Sequence, residues 1–250
     1  MLKAILFDFG QTLVNSADGF RAAEKTAKQQ IYAEFDPGQV SWDRFLTEYR
    51  KIRKAFHQKS NFSRPAIWQA VYGAFRATPD SERLQDWETQ YWEQVKALTA
   101  PFPETIEVLE KLSERYRLGL ITNTQGQART GTHRIALFPR LERFFEVIIV
   151  AGEGGVRPKP DAEPFRQCLQ QMSIPAKEAV YVGDDWRIDI CGARDAGIQP
   201  VWLQHHSVKR NWPDVEPFEY TITRLEQLCE LPFIQPLYIT SIDEGSSNLK

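Results

Sequence analysis

From Pro103 onward, short runs of aliphatic and β-branched residues alternate with stretches whose apolar positions recur at helical spacing. No other feature restricts the fold as much. A helical run over residues 104–116 leads into "RLGLITNT", and "FFEVIIVAG" follows. Phe165, Cys168, Leu169 and Met172 then mark one face of a further helix, and "EAVYVGDD", a short helix in "DICGARDAG" and "QPVWL" complete the series. Strands this short and this continuously apolar are buried on both faces, which requires crossover helices and parallel neighbours. The expected fold class is therefore α/β, a doubly wound parallel sheet. "AILF", at the start of the chain, supplies its first strand.

Residues 16–99 have another texture. Apolar residues recur at helical spacing as Trp42, Phe45, Leu46, Tyr49, then Ile67, Ala70, Val71, Ala74, then Leu84, Trp87, Tyr91, Val95, Leu98. Pro37-Gly38, the segment Ser63 to Pro65 and Pro79-Asp80 break these runs, which suggests about four helices. Their aromatic stripe reads as packing core. Because the first strand precedes this stretch, it is expected to be a helical cap domain inserted in the first loop. The expected division is a core of residues 1–15 and 100–240, a cap of 16–99 and a polar tail of 241–250.

A chain of 250 residues that is 42% hydrophobic can fill such a core. Its net charge of −2 offers no field for a polyanion, so no nucleic-acid partner is expected. The apolar run before Asp8 is too short for a signal segment and no later run is long enough to span a bilayer, so no membrane association and a cytoplasmic location are expected. Cys168, Cys191 and Cys229 lack CxxC spacing and read as core thiols of a reducing compartment.

Ligands of doubly wound sheets bind at the carboxyl ends of the strands. Polar residues at those ends are Asp8 and Thr12, Thr122 and Asn123, Lys159, and then Asp184, Asp185 and Asp189. Two acids could hold Mg²⁺, a hydroxyl and a lysine could hold phosphoryl oxygens, and a carboxylate could attack phosphorus. Each has a plainer use: the acids could cap helices, Thr122 could serve a turn, and Lys159 could be a surface charge. For Asp185 a local turn bond or exposure is the preferred reading. The conjunction in chain order favours chemistry.

"FDFGQTLV", "LITNT", "RPKPDAEPF" and "VGDDWRIDICGARDAG" resemble the ordered motifs of the haloacid dehalogenase-like (HAD) hydrolase superfamily, whose core is Rossmann-like and whose first-loop caps sit where the helical insert sits here. The resemblance spans almost the whole chain. It implies that Asp8 is the nucleophile and a Mg²⁺ ligand, that Gly10 offers the metal a backbone carbonyl, and that Asp184 is an acidic ligand. Asp189 would act on the metal directly or through its water. Thr122 would bind the transferring phosphoryl and Lys159 would neutralise it, with Phe9, Gly10 and Asn123 completing the substrate contacts. A small phosphorylated metabolite is the implied substrate. "DFG" also occurs in protein kinases, but the segments that precede it there are missing here.

The departure is Gly10, because most phosphatases of the superfamily carry at this position an Asp that protonates the leaving oxygen. General acid–base catalysis is worth ~10²–10⁴ in rate. The expected activity is thus a Mg²⁺-dependent phosphatase working through an aspartyl-phosphate, with rates steeply dependent on the leaving group, and Gly10→Asp is expected to raise alkyl-ester turnover by ~10-fold or more. The alternatives are a phospho-ligand-binding pseudo-phosphatase, a phosphonate-cleaving member using a cap lysine (Lys25, Lys28, Lys51, Lys54 or Lys59), or a haloacid-cleaving member. The Asp184 and Asp189 pair argues against the last. Arg21, Arg50, Arg53 and Arg64 either contact the ligand or face water.

Overall fold

The computed structural model describes residues 1–59, 61–126, 134–209, 211–216 and 218–234. Its centre is a six-stranded, all-parallel sheet in the order β5-β4-β1-β6-β7-β8. The strands are β1 (Ala4–Phe7), β4 (Arg117–Asn123), β5 (Val147–Ala151), β6 (Ala179–Gly183), β7 (Gln199–Leu203) and β8 (Thr221–Ile222). Every residue of β1 is buried, because the strand has covered faces on both sides. Ile5 and Phe7 join one apolar cluster with Val108, Leu109 and Leu112 of α5 (Thr105–Ser113). Ala4 and Leu6 join another with Phe165, Cys168, Leu169 and Met172 of α7 (Glu163–Met172). The period-two alternation of a strand thus assigns its residues to two helical layers.

Winding reverses at β1. The chain moves outward through β4 and β5, then crosses to β6 on the other side, so β1 pairs with both β4 and β6. A reversal of this kind leaves a crevice at the carboxyl ends of the strands on either side.

Between β1 and β4 lie four helices, α1 (Ala17–Tyr32), α2 (Trp42–Gln58), α3 (Arg64–Ala74) and α4 (Ser81–Ala97). Ser41, Ser63 and Asp80 cap the last three with side-chain oxygens that accept from first-turn N–H groups. An antiparallel ribbon of β2 (Val14–Asn15) and β3 (Ala100–Pro101) carries the chain into and out of this insert. Ala23, Ile31, Phe45, Tyr49, Trp68, Val71 and Val95 form an apolar cluster drawn from the insert alone. The expected tail, 241–250, lies outside the described residues.

Some expectations need correction. The helix expected over 104–116 ends at Ser113. "DICGARDAG" is not one helix throughout: its first two residues close a π-type turn, Trp186–Ile190, that leads into the short α8 (Cys191–Asp195), and a sixth strand, β8, pairs with β7. Arg64 neither meets the site nor faces water: it is 1% exposed. It lies over the Tyr91 ring with its Nε 3.5 Å from Glu24, which also accepts from the Tyr49 and Tyr91 hydroxyls. Of the cysteines only Cys168 is buried, whereas Cys191 and Cys229 are half-buried, and all three are free thiols. No helix among the described residues is long and apolar enough to cross a membrane.

Candidate active site

The crevice at β1 collects most of the residues singled out in the sequence. Asp8 is the first residue past β1 and keeps one sheet hydrogen bond, from its N–H to the Val182 carbonyl at 2.9 Å. That bond fixes its backbone while the carboxylate projects from the sheet edge. Thr12 donates weakly to its Oδ2 at 3.3 Å. Lys159 reaches in from the connection between β5 and α7, where its peptide bond to Pro160 is cis. The ammonium donates to Asp8 Oδ1 at 2.8 Å, Asp189 Oδ1 at 2.7 Å and the Ile121 carbonyl at 2.9 Å, and lies 2.7 Å from the Tyr181 hydroxyl.

Burial alone would lower the Lys159 pKa, but Asp189 and Asp8 outweigh it and hold the pKa above its ordinary value. Burial pushes Asp189 up to about 6 against the pull of Lys159.

The surroundings hold this lysine in place. The Asn123 side-chain amide clasps its backbone at both polar atoms: Oδ1 accepts from the Lys159 N–H at 2.8 Å and Nδ2 donates to the Lys159 carbonyl at 3.0 Å. Tyr181, central in β6, also contacts Ile121 and Asp189 through its hydroxyl at 3.1 Å each. Asp189 accepts the Asp185 N–H on Oδ2 at 3.0 Å. A Cβ on Gly183 would stand 2.4 Å from the Asp189 Cβ, so only glycine at the end of β6 lets the Asp189 turn approach this closely. Asp185 caps the turn by accepting from the Ile188 N–H at 2.9 Å, a local turn bond, one of the two readings its sequence position allowed.

Asp8, Asp184 and Asp189 are all buried, and one oxygen from each lies within 4.8 Å of the others. Three carboxylates this close inside a protein call for more positive charge than one ammonium. All-oxygen donors suit a hard divalent cation. The donors fit such an ion, although they are not equivalent: both oxygens of Asp189 already accept protein hydrogen bonds. Its geometry suits an orienting role beside the ion better than a place as its principal ligand.

The hollow above these groups has a volume of about 210 Å³. Gly10, Thr122 and Asn123 line it from the core, and Phe20 and Phe62 line it from the helical insert. Phe9 does not line it. Its side chain is fully buried against Phe138 in the sheet cluster, which leaves only its backbone for a ligand. Arg134, which had attracted no attention in the sequence, does line the hollow and is only 7% exposed. Its guanidinium lies between the rings of Phe9 and Phe20, at 5.2 and 5.1 Å. Burial pushes its pKa down to about 10, against the attraction of Asp8, so it stays charged at neutral pH. Nothing in its spacing marks Arg134, whereas the sequence did carry a signal for Tyr181, a polar-tipped residue inside the apolar strand "AVYVG".

The lysines of the helical insert lie elsewhere: among the described residues, Lys159 is the only lysine lining this hollow. Lys54 instead borders a neighbouring basic hollow with Arg50, Arg53 and Arg187. Arg21 pairs with Asp18 on the surface.

A family model described as haloacid dehalogenase-like hydrolase matches residues 5–203. The glyceraldehyde 3-phosphate phosphatase of Methanocaldococcus jannaschii is 29% identical over 241 residues, covering 92% of this chain and 97% of the relative. The phosphoglycolate phosphatase of Rhodospirillum rubrum is 28% identical, with 82% and 80% covered. Among solved structures, a 2-haloacid dehalogenase from Pseudomonas syringae superposes with a TM-score of 0.62 at 27% identity, over 92% of this chain and 97% of that one.

Proposed function

The chain belongs to the haloacid dehalogenase-like hydrolase family, and from that premise we propose that it is a Mg²⁺-dependent phosphatase of a small phosphorylated metabolite, working through an aspartyl-phosphate on Asp8. The observation that carries this reading is the Lys159 ammonium bonded to both Asp8 and Asp189, with Asp184 in the same carboxylate cluster. A lysine so placed neutralises the nucleophile and meets an incoming phosphoryl group. A small hollow with aromatic walls from the helical insert suits a compact metabolite under a cap of residues 16–99. Three free thiols suit a reducing, cytoplasmic setting.

In the proposed cycle Lys159 and the Thr122 hydroxyl bind the phosphoryl oxygens. An Asp8 carboxylate oxygen bonds to phosphorus as the bond to the leaving oxygen breaks, the electron pair departing with that oxygen. Water then bonds to phosphorus, the Asp8–phosphorus bond returns its pair to the carboxylate, and the water proton passes to a phosphate oxygen. Asn123 and Asp189 keep Lys159 aimed throughout. Mg²⁺, held by Asp8, Asp184 and the Gly10 carbonyl with Asp189 beside it, would supply the charge that makes a phosphoryl dianion tolerable among carboxylates.

The phosphonate alternative loses support because no cap lysine lines the hollow among the described residues. The deciding experiment compares phosphomonoesters, acyl phosphates, phosphonates and 2-haloacids with Mg²⁺ and in EDTA, using wild type and Asp8→Asn. Phosphate-ester turnover lost in EDTA and in Asp8→Asn is expected. Turnover of a haloacid in EDTA would replace this reading with carbon-directed chemistry, and tight phosphate binding without turnover would leave a pseudo-phosphatase.

A further inference from the structure

Arg134 is a buried cation whose donors are not used up. Its Nε and Nη1 are shielded from solvent and have no hydrogen-bond partner among the described residues. No carboxylate among those residues lies within ion-pair distance of it. Leaving charge-bearing donors unpaired in the interior is costly, and an anion in the adjacent hollow, meeting the guanidinium at the Nη2 that faces Gly10, offsets that cost through its charge. The flanking rings of Phe9 and Phe20, one from the core and one from the insert, fix the plane of the guanidinium. Its Nη2 stands 3.3 Å from the point a Cβ on Gly10 would occupy, so its tip covers the face of the hollow that the missing side chain leaves open.

In-line displacement puts the leaving oxygen on the side of phosphorus opposite Asp8. Asp8 and its Lys159 partner are bonded at the sheet edge, and Phe20 of the insert and Arg134 meet on the wall of the same hollow, beside Gly10. We propose that Arg134 forms a leaving-group subsite beside Gly10, receiving the oxyanion released from phosphorus and so fitting the site to acyl and aryl phosphates. This rests on the phosphatase reading. The phosphorus–oxygen bond breaks with its pair on the leaving oxygen, and the carboxylate or phenolate departs against the guanidinium N–H groups without taking a proton. A carboxylate or phenolate oxygen meets a charge-assisted donor at Nη2.

The test uses wild type, Arg134→Ala and Arg134→Lys with acetyl phosphate and a series of aryl phosphates of graded leaving-group pKa. Arg134→Ala should lose ~10²-fold in kcat/KM, as for removal of an oxyanion donor. The loss should grow with leaving-group pKa, Arg134→Lys should recover part of it, and added guanidinium should partly rescue Arg134→Ala. Beryllium fluoride with Mg²⁺ should still stabilise Arg134→Ala, showing that its fold and phosphoryl side are intact. An equal loss across the series would place Arg134 on the phosphoryl side and overturn the inference, as would no loss. A separate arm needs no turnover: benzoate, a mimic of the departing carboxylate, should raise the melting temperature of wild type but not of Arg134→Ala. If wild type hydrolyses no phosphate ester, the phosphatase reading fails alone; if benzoate does not bind wild type, this inference fails.

Discussion

Gly10→Asp puts the missing carboxylate back, and on sequence grounds it should restore a general acid. With Arg134 beside the new side chain, the opposite outcome is expected. The new Cβ would meet Arg134 Nη2 at 3.3 Å, a tight contact with the far end of a flexible side chain, so the variant can be accommodated by a small shift of the arginine. The carboxylate then lies beside a buried guanidinium that has free donors. An adjacent opposite charge lowers an Asp pKa by roughly 1–3 units from ~3.9. At pH 7 the protonated fraction is then on the order of 10⁻⁴ to 10⁻⁶, and multiplying it by the ~10²–10⁴ that a protonated acid is worth gives no net gain. Arg134 is also withdrawn from the leaving group. Gly10→Asp should therefore leave alkyl-phosphate turnover no better than wild type and depress aryl and acyl phosphate turnover by ~10-fold or more. Gly10→Asp/Arg134→Met, freed of the guanidinium, should exceed Gly10→Asp on alkyl esters by ~10-fold. The assay is kcat/KM against leaving-group pKa for the three proteins at pH 5 to 8. A ten-fold rise in alkyl-ester turnover from Gly10→Asp alone at pH 7 would refute the claim that Arg134 captures the new carboxylate.

Four further outcomes are expected. Asp184→Ala should abolish the rise in melting temperature produced by Mg²⁺ while leaving the metal-free protein at least as stable, since it removes one of three crowded carboxylates; scanning fluorimetry with and without Mg²⁺ reads both. Asn123→Ala should cost about 1–3 kcal/mol in urea denaturation, because the buried Lys159 N–H and carbonyl lose their partners, and it should lower kcat more than it raises KM. Glu24→Ala should cost roughly 3–5 kcal/mol, since it leaves the buried Arg64 guanidinium without its counter-charge. Burial, with Arg53 and Arg64 nearby, lowers the His57 pKa to about 4, so the folded protein binds its proton later than the unfolded chain does. Stability at this position is intact above pH ~6.5 and declines as pH falls towards 4, and His57→Gln should show a shallower decline in acid denaturation.

Which residues pack against the sheet was legible in the sequence because burial there is periodic over short spans. Phe165, Cys168, Leu169 and Met172 share a helical face, and they lie together against Ala4 and Leu6. The acids of the candidate site were legible for a related reason: parallel strands bring their carboxyl ends to one edge, so Asp8 and Asp184 converge whatever the loops do. Only the tertiary structure revealed what those acids touch. The grip of Asn123 on the Lys159 backbone spans 36 residues of sequence, and the bond from Lys159 to Asp8 spans 151. Arg64 and Arg134 are ordinary charges in polar segments of the sequence, and the fold buries one against Glu24 and points the other at Gly10. Phe9 adjoins the nucleophile in sequence, yet its side chain is buried in the sheet core. Periodicity reports which face of an element avoids water, because solvent transfer acts on each side chain by its own composition. The partner of a buried charge depends on which distant groups the packed elements carry to within a hydrogen bond of it, and no local pattern encodes that meeting.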